Sequence, residues 1–255
     1  PDYDSALGGY LPLSWRRLKE TLDSLPKDRE RPKAVFTIDP TYSGFATDMM
    51  EIAREVHARG MALIVDEAHG THFSNGEGLP PDALAAGADL VIHGAHKTTV
   101  AFTQTAFLHL GREAEARFPG IELAVEEALR AVQTTSPSYI LMASIEQAVE
   151  ALERNDGVWV DNGTKTALEL ANRLSKIPGI SVAGFDRPLP PGLFHDPSKL
   201  LVNLNLSVGG PAAVKFLVQK CRVVPEMTGP GYILLLVSGA HGPKDIDAVE
   251  KAFRD

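Results

Sequence analysis

Apolar runs and helix-spaced apolar positions alternate through the first half of the chain. Ala34–Ile38 (AVFTI) is a short apolar run between Pro32 and Pro40, the pattern of a buried strand. Met49, Ile52, Ala53 and Val56 then recur at i, i+3, i+4 and i+7. Thr47 or Asp48 can cap that helix and Gly60 can close it. Residues 61–65 (MALIV) predict a second strand, residues 82–86 a short helix ended by Gly87, and residues 89–93 (DLVIH) a third strand. This order calls for right-handed crossovers and a parallel sheet covered on both faces. Residues 101–110 read as one more strand. Its connection is too short for a helical crossover, so it is expected to run antiparallel.

The pattern changes after residue 120. Ile121–Val132 is amphipathic, Ser136-Pro137-Ser138 interrupts it, and residues 139–152 resume as helix. Ser136 is placed to cap that helix, with Pro137 at its first position. Residues 161–177 form a further long helix, ended by Pro178-Gly179. Beyond it, residues 180–183, 199–207, 222–224 and 232–237 read as strands, and residues 211–220 and 243–253 as helices. The expected organisation is α/β over residues 1–154 and a smaller α+β domain over residues 155–255, with a Pro/Gly-rich loop at 187–194.

Composition narrows the function classes. The formal net charge of −8 argues against a general nucleic-acid backbone binder, but it leaves small anionic ligands open. A single cysteine, Cys221, excludes an internal disulfide framework and a Cys-based zinc site. The longest strongly apolar run, residues 232–237, is too short to span a bilayer. The opening residues Pro1, Asp2 and Asp4 do not form a signal-peptide pattern, so a cytoplasmic setting is expected. The chain opens without Met and is expected to begin inside a longer polypeptide.

In open parallel sheets, ligands bind beyond the carboxyl ends of the strands. Three clusters fall there: Asp39-Pro40-Thr41-Tyr42, Asp66-Glu67-Ala68-His69 and His96-Lys97. Together they bring an acid, two histidines and a lysine to one sheet edge. A lysine in a cleft loses its proton when desolvated or set near positive charge, and can then form a Schiff base. An acid aimed at a pyridine nitrogen keeps that ring protonated, the electron sink that pyridoxal phosphate chemistry needs. Plainer readings stand beside these. Lys97 can be a solvated surface charge, and Asp66 can cap the following turn. His69 and His72 can chelate a metal as His-x-x-His, although no third ligand accompanies them. His93 and His109 fall in strand-like stretches and read as packing residues. The Asp66-Glu67-Ala68-His69 box also occurs in a helicase class. That chemistry needs a preceding phosphate loop ending in Gly-Lys-Ser/Thr. The nearest string, Gly163-Thr164-Lys165-Thr166, has an extra residue, follows the box and lies in a helical pattern.

The stretches IVDEAHGTHF, GADLVIHGAHKTTVAFTQTAFLHL and QTTSPSYILMAS resemble, in this order, the major domain of the ornithine/lysine/arginine decarboxylases. The resemblance is strong over about residues 35–152 and weaker through residues 196–201 to the end. It implies a fold type I (aspartate-aminotransferase) large domain, present in part, with a C-terminal small α+β domain. It implies pyridoxal 5'-phosphate as cofactor, a basic amino acid as substrate and a homodimer as working form. It further implies Lys97 as the Schiff-base lysine, Asp66 as partner of the pyridine nitrogen and Ala68 against the ring face. His69 would lie near the phenolic oxygen and His96 near the cofactor or substrate carboxylate. Thr41, in the Asp39–Tyr42 turn, would edge the same pocket.

The sequence departs from the family in two places. Gly94 stands three residues before Lys97, where relatives usually carry a serine that holds the cofactor phosphate, leaving only a backbone N–H. The N-terminal part of the family's large domain, with its phosphate-gripping loop, has no counterpart in the sequence. A separate chain or a clipped segment can supply it, the chain can be a fragment, or the protein can be a remnant; a processed or partial decarboxylase is expected, and the chain alone is expected to hold the cofactor weakly. Transamination or aldol cleavage on the same scaffold, and a degenerate partner-binding subunit, remain open alternatives.

Overall fold

Asp48 accepts hydrogen bonds from the backbone N–H groups of Met50 and Glu51, and this cap starts the helix on which the first half of the fold packs. The computed structural model describes residues 2–5, 7–25, 32–154, 158–186, 188–205 and 208–255. Tyr3–Asp4 (β1) and Gly9–Tyr10 (β2) pair as a small hairpin, followed by helix α1 (Trp15–Asp23) capped by Ser14. The first sheet is begun by β3 (Ala34–Ile38). Strand β4 (Phe45–Thr47), outside that sheet, leads into the Asp48-capped helix α2 (Met49–His57). Strands β5 (Ala62–Asp66) and β6 (Leu90–His93) extend the sheet in parallel, in the order β3-β5-β6, with Ala34 opposite Ala62 and Ile38 opposite Asp66. Met49, Ile52, Ala53 and Val56 of α2 are fully buried with Leu63, Val65 and Val91 of the strands, as their helical spacing requires.

One helical turn, α3 (Ala95–Thr98), follows β6, and β7 (Phe107–Leu110) returns antiparallel beside it, His93 opposite Phe107. The antiparallel direction is the expected one, but the strand is shorter. Residues 101–106 form turns, with Gln104 at φ 81° and Thr105 bonded back to the Phe102 carbonyl. The helix expected over residues 82–86 is a single turn held by Ala86 N–H on the Asp82 carbonyl. Gly87, at φ 101°, ends it before a second turn can form. Nor are both faces of the sheet covered: Phe36 and Ile38 of edge strand β3 are 61% and 57% exposed.

Helices α4 (Ala114–Arg117), α5 (Ile121–Val132), α6 (Tyr139–Arg154) and α7 (Val158–Leu174) lead to the second sheet. Ser138 rather than Ser136 caps α6, its hydroxyl accepting from Leu141 N–H. The expected boundary at 154/155 abuts residues 155–157, which lie outside the described residues, as do Arg187 of the 187–194 loop and residues 206–207 of the expected 199–207 strand. Next come β8 (Ile180–Val182), β9 (Leu193–His195), β10 (Lys199–Leu204), α8 (Gly210–Phe216), β11 (Met227–Gly229), β12 (Tyr232–Leu236) and α9 (Pro243–Arg254). The second sheet is antiparallel in the order β11-β12-β10-β8, and α7 and α9 cover it through Leu170, Leu174 and Ile246. No strand forms at 222–224. Arg222 sits at φ 60° and ends a π-helical turn that extends α8, and Val224 is exposed. Strand β9 does not join this sheet. It pairs with β4, Phe45 opposite His195, and this ribbon ties the second half to the loops above the first sheet.

Asp89 secures the first sheet from below. It is 0% exposed, accepts from Leu63 N–H at 2.8 Å and from His57 Nε2 at 2.8 Å, and pairs with Arg117. Asp89→Ala orphans a buried N–H and strips two partly buried bases of their partner. The expected loss is on the order of 3 kcal/mol, read as a lower urea midpoint at unchanged slope. An unchanged midpoint would show that the network contributes nothing.

Candidate active site

Lys97 reaches its place through three backbone constraints. Strand β6 ends at His93, Gly94 starts the single turn α3, and Lys97 N–H closes that turn on the Gly94 carbonyl at 3.0 Å. The turn sets Lys97 Nζ 3.3 Å from Nε2 of His69, which the loop after β5 supplies. The His69 ring meets the Tyr42 ring edge-on, with centroids 5.0 Å apart. Tyr42 comes from the turn between β3 and β4, and its hydroxyl donates to Glu226, just ahead of β11. Lys199, the first residue of β10, donates from Nζ to the Tyr42 carbonyl at 2.9 Å and lies 5.1 Å from the Tyr42 ring centre. These groups, with His96, wall a cavity of about 500 Å³ between the two sheets. His96 donates Nδ1–H to the Thr105 carbonyl at 2.8 Å. In the neutral ring this leaves Nε2 as an acceptor.

Burial and neighbouring charge set the protonation states. Burial first, and then the Lys199 and Lys97 ammonium charges, hold the His69 imidazolium down to about 3. His69 is therefore neutral across ordinary pH and accepts at Nε2 the hydrogen bond that Lys97 donates. Burial lowers Lys199 to about 8, with Lys97 adding to the effect and Asp196 opposing it. For Asp196, burial pushes upward, but His72 and Ser198 outweigh it and hold the carboxylate down at about 2. On the far side of β6, Glu67 is fully buried between Ala83 N–H (3.0 Å) and His93 Nε2 (2.7 Å). Burial and the Asp82 charge raise it to about 9.

The structure brings Lys97, His69 and His96 together, as the spacing of the three loops requires. It places Asp66, Ala68, Gly94 and Thr41 apart from this cavity wall. Asp66 ends β5 and accepts from Ala68 N–H at 3.1 Å, and the Ala68 carbonyl takes Gly94 N–H at 3.2 Å. Position 94 therefore has no spare backbone donor, and a Cβ there would lie 2.8 Å from the Ala68 carbonyl oxygen. Thr41 lines a separate groove with Tyr10, Phe36 and Ile38, and its hydroxyl accepts from Phe45 N–H. His72 lines the same cavity, and its Nε2 faces Asp196 Oδ2 at 3.4 Å. Sequence reasoning missed Lys199, Asp196 and Glu226 as contributors. The Asp196-Pro197-Ser198-Lys199 string, a charged pair leading an apolar run, was the available signal for the first two. No local signal marked Glu226.

The family model described as "Orn/Lys/Arg decarboxylase, major domain" matches residues 10–191. The chain belongs to this family. It is 30% identical to YaaO of Bacillus subtilis over 93% of this chain and 47% of that protein. To an arginine decarboxylase of Halalkalibacterium halodurans it is 29% identical over 100% of this chain and 50% of that protein. The chain thus spans about half the length of the curated relatives it matches. Among solved structures it is similar to lysine decarboxylase A from Pseudomonas aeruginosa, with TM-score 0.75 at 19% identity over 96% of this chain and 40% of that one. That likeness shows the fold. Similar folds include an alanine–glyoxylate aminotransferase from Nostoc at TM-score 0.66, 16% identity and coverage of 95% and 65%.

Family membership implies pyridoxal phosphate as cofactor, and the residues present fit its reactive end. Lys97 offers an amine whose hydrogen-bond partner is a neutral imidazole and not a carboxylate, in a cavity large enough for a small aromatic ligand. No helix among the described residues is long and apolar enough to cross a membrane.

Proposed function

We propose that the protein serves in pyridoxal-phosphate-dependent decarboxylation of a basic amino acid, arginine, lysine or ornithine, with Lys97, His96 and Asp66 as the catalytic residues. The observation that carries this reading is the Lys97 amine, held by neutral His69 within the inter-sheet cavity. When bound, the cofactor supplies the electron sink for loss of carbon dioxide. The chain's residues do the rest. Lys97 would offer the amine to which the cofactor attaches. Asp66, at the carboxyl end of β5, would hold the proton on the cofactor's ring nitrogen, and Ala68 and His69 would lie beside the ring. His96 Nε2 or Lys97 Nζ returns a proton to the substrate α-carbon.

The cavity also supports a cationic substrate. Glu226 is the single carboxylate among the described residues that line it, and it is the natural counter-charge for a distal ammonium or guanidinium. Decarboxylating such an amino acid yields a polyamine precursor. With the Gly94 N–H bonded to Ala68 and Thr41 in a separate groove, the phosphate grip falls to a complementary N-terminal segment. The two-part division at about residue 154, a cytoplasmic setting and a homodimer complete the proposal. Exposed Leu123, Val132, Tyr139, Ile140 and Met142 suit a second copy, and the net charge of −8 suits no nucleic-acid partner.

Carbon dioxide release from each of the three amino acids, assayed with pyridoxal phosphate and the complementary N-terminal segment present, tests the function, and no release from any of them would reject it. Glu226→Gln is expected to raise KM for the accepted substrate roughly 10- to 100-fold, the value of about 1.4–3 kcal/mol for a hydrogen bond to a charged group, with kcat less affected. An unchanged KM would remove Glu226 from substrate recognition.

A further inference from the structure

Lys199 is 1% exposed, and its stem packs against Gly44, where an added Cβ would come within 2.9 Å of Lys199 Cβ. A methionine would fill the same space without burying a charge, which is costly unless it is paired or used. Among the described residues the ammonium has one hydrogen-bond acceptor, the Tyr42 carbonyl, and it lies over the Tyr42 ring. The charged and titratable groups around it are Asp196, His195 and Glu226 from its own half, and His69, His72 and Lys97 from the other. Asp196 does not neutralise it by contact. Its Oδ1 takes Ser198 N–H, and its Oδ2 faces His72 Nε2 at 3.4 Å. The Lys199 charge is therefore left to act on the Tyr42–His69 side of the cavity.

We propose that Lys199 is a positioning residue for the Lys97 site: its ammonium clamps the Tyr42 turn against the His69 ring and presents positive charge to that ring, so that His69 Nε2 stays an acceptor for Lys97. The role rests on the reading of Lys97 as the reactive amine. It assigns the second lysine of the cavity to electrostatics, not to covalent chemistry. Lys97 and Lys199 each carry charge toward His69, and burial adds to both, so the ring keeps its lone pair at any pH at which Lys199 is protonated.

The test is a histidine NMR titration of the cofactor-free protein as wild type, Lys199→Met, Lys199→Gln and Lys199→Arg. In the wild type His69 is expected to stay neutral down into the acid range. Lys199→Met and Lys199→Gln are expected to move its titration upward. Gln retains a donor for the Tyr42 carbonyl, so it separates charge from clamping, and a Met variant that fails to fold leaves the measurement intact. Lys199→Arg is expected to restore the wild-type titration. An unmoved His69 in the folded Gln variant, or a shift equally large in the Arg variant, would overturn the inference. Borohydride labelling of Lys97 in the holoprotein is read separately. Absence of that label rejects the proposed function, whereas the His69 shift decides the role of Lys199.

Discussion

Lys97→Ala is expected to abolish covalent cofactor attachment and to lower decarboxylase turnover by on the order of a thousandfold or more, about 4 kcal/mol of transition-state stabilisation. Borohydride reduction of the wild-type holoprotein followed by peptide mapping is expected to mark Lys97 and to mark nothing in the variant. The serious competitor is Lys199, since burial lowers it to about 8 and a lysine with a depressed pKa is the more nucleophilic. Geometry decides between them. Lys199 Nζ is tied to the Tyr42 carbonyl and the residue is buried, whereas Lys97 bonds a neutral ring and stands at the sheet edge in a cavity wall. A label on Lys199, Lys33 or Lys165 would refute the assignment of Lys97.

Asp66→Asn is expected to leave covalent attachment possible while turnover falls by several powers of ten. An amide cannot hold a proton on a pyridine nitrogen, so the electron sink weakens in the transition state and not in binding. The loss should therefore appear in kcat with KM little changed, at roughly 1.4 kcal/mol per tenfold. The fold tolerates the change, because the one hydrogen bond that the Asp66 side chain accepts, from Ala68 N–H, can be accepted by the Asn carbonyl oxygen. Full turnover in this variant would take Asp66 out of the chemistry.

The first sheet was legible in the sequence because its signals are local. Period-breaking prolines bound Ala34–Ile38, and the i, i+3, i+4, i+7 spacing of Met49, Ile52, Ala53 and Val56 dictates which face of α2 is buried. Where local signals were weak, the reading failed in a physically simple way. Residues 82–86 have helical residues but too few of them before Gly87, and residues 101–106 carry strand-like residues whose backbone turns at Gln104. Helix α1 has a Ser14 cap and Trp15, Leu18 and Leu22 at i, i+3 and i+7, a local helical signal that the sequence reading left unused.

By itself, then, the sequence determined the parallel direction of the first three strands, the burial of α2 and the meeting of His69, His96 and Lys97 at strand ends, since these follow from backbone direction and side-chain period. Only the tertiary structure decided what those groups are paired with. Lys199 and Glu226 lie 102 or more residues beyond Lys97, and they reach the cavity wall, with Asp196 buried behind it, because β9 pairs with β4 and draws the second half over the first. That pairing, a contact between distant residues with no local signature, is what places a buried ammonium beside Tyr42, where its charge adds to the burial that lowers His69. Protonation states in a cavity depend on burial and on charges arriving from elsewhere in the chain, and no spacing within a motif encodes them.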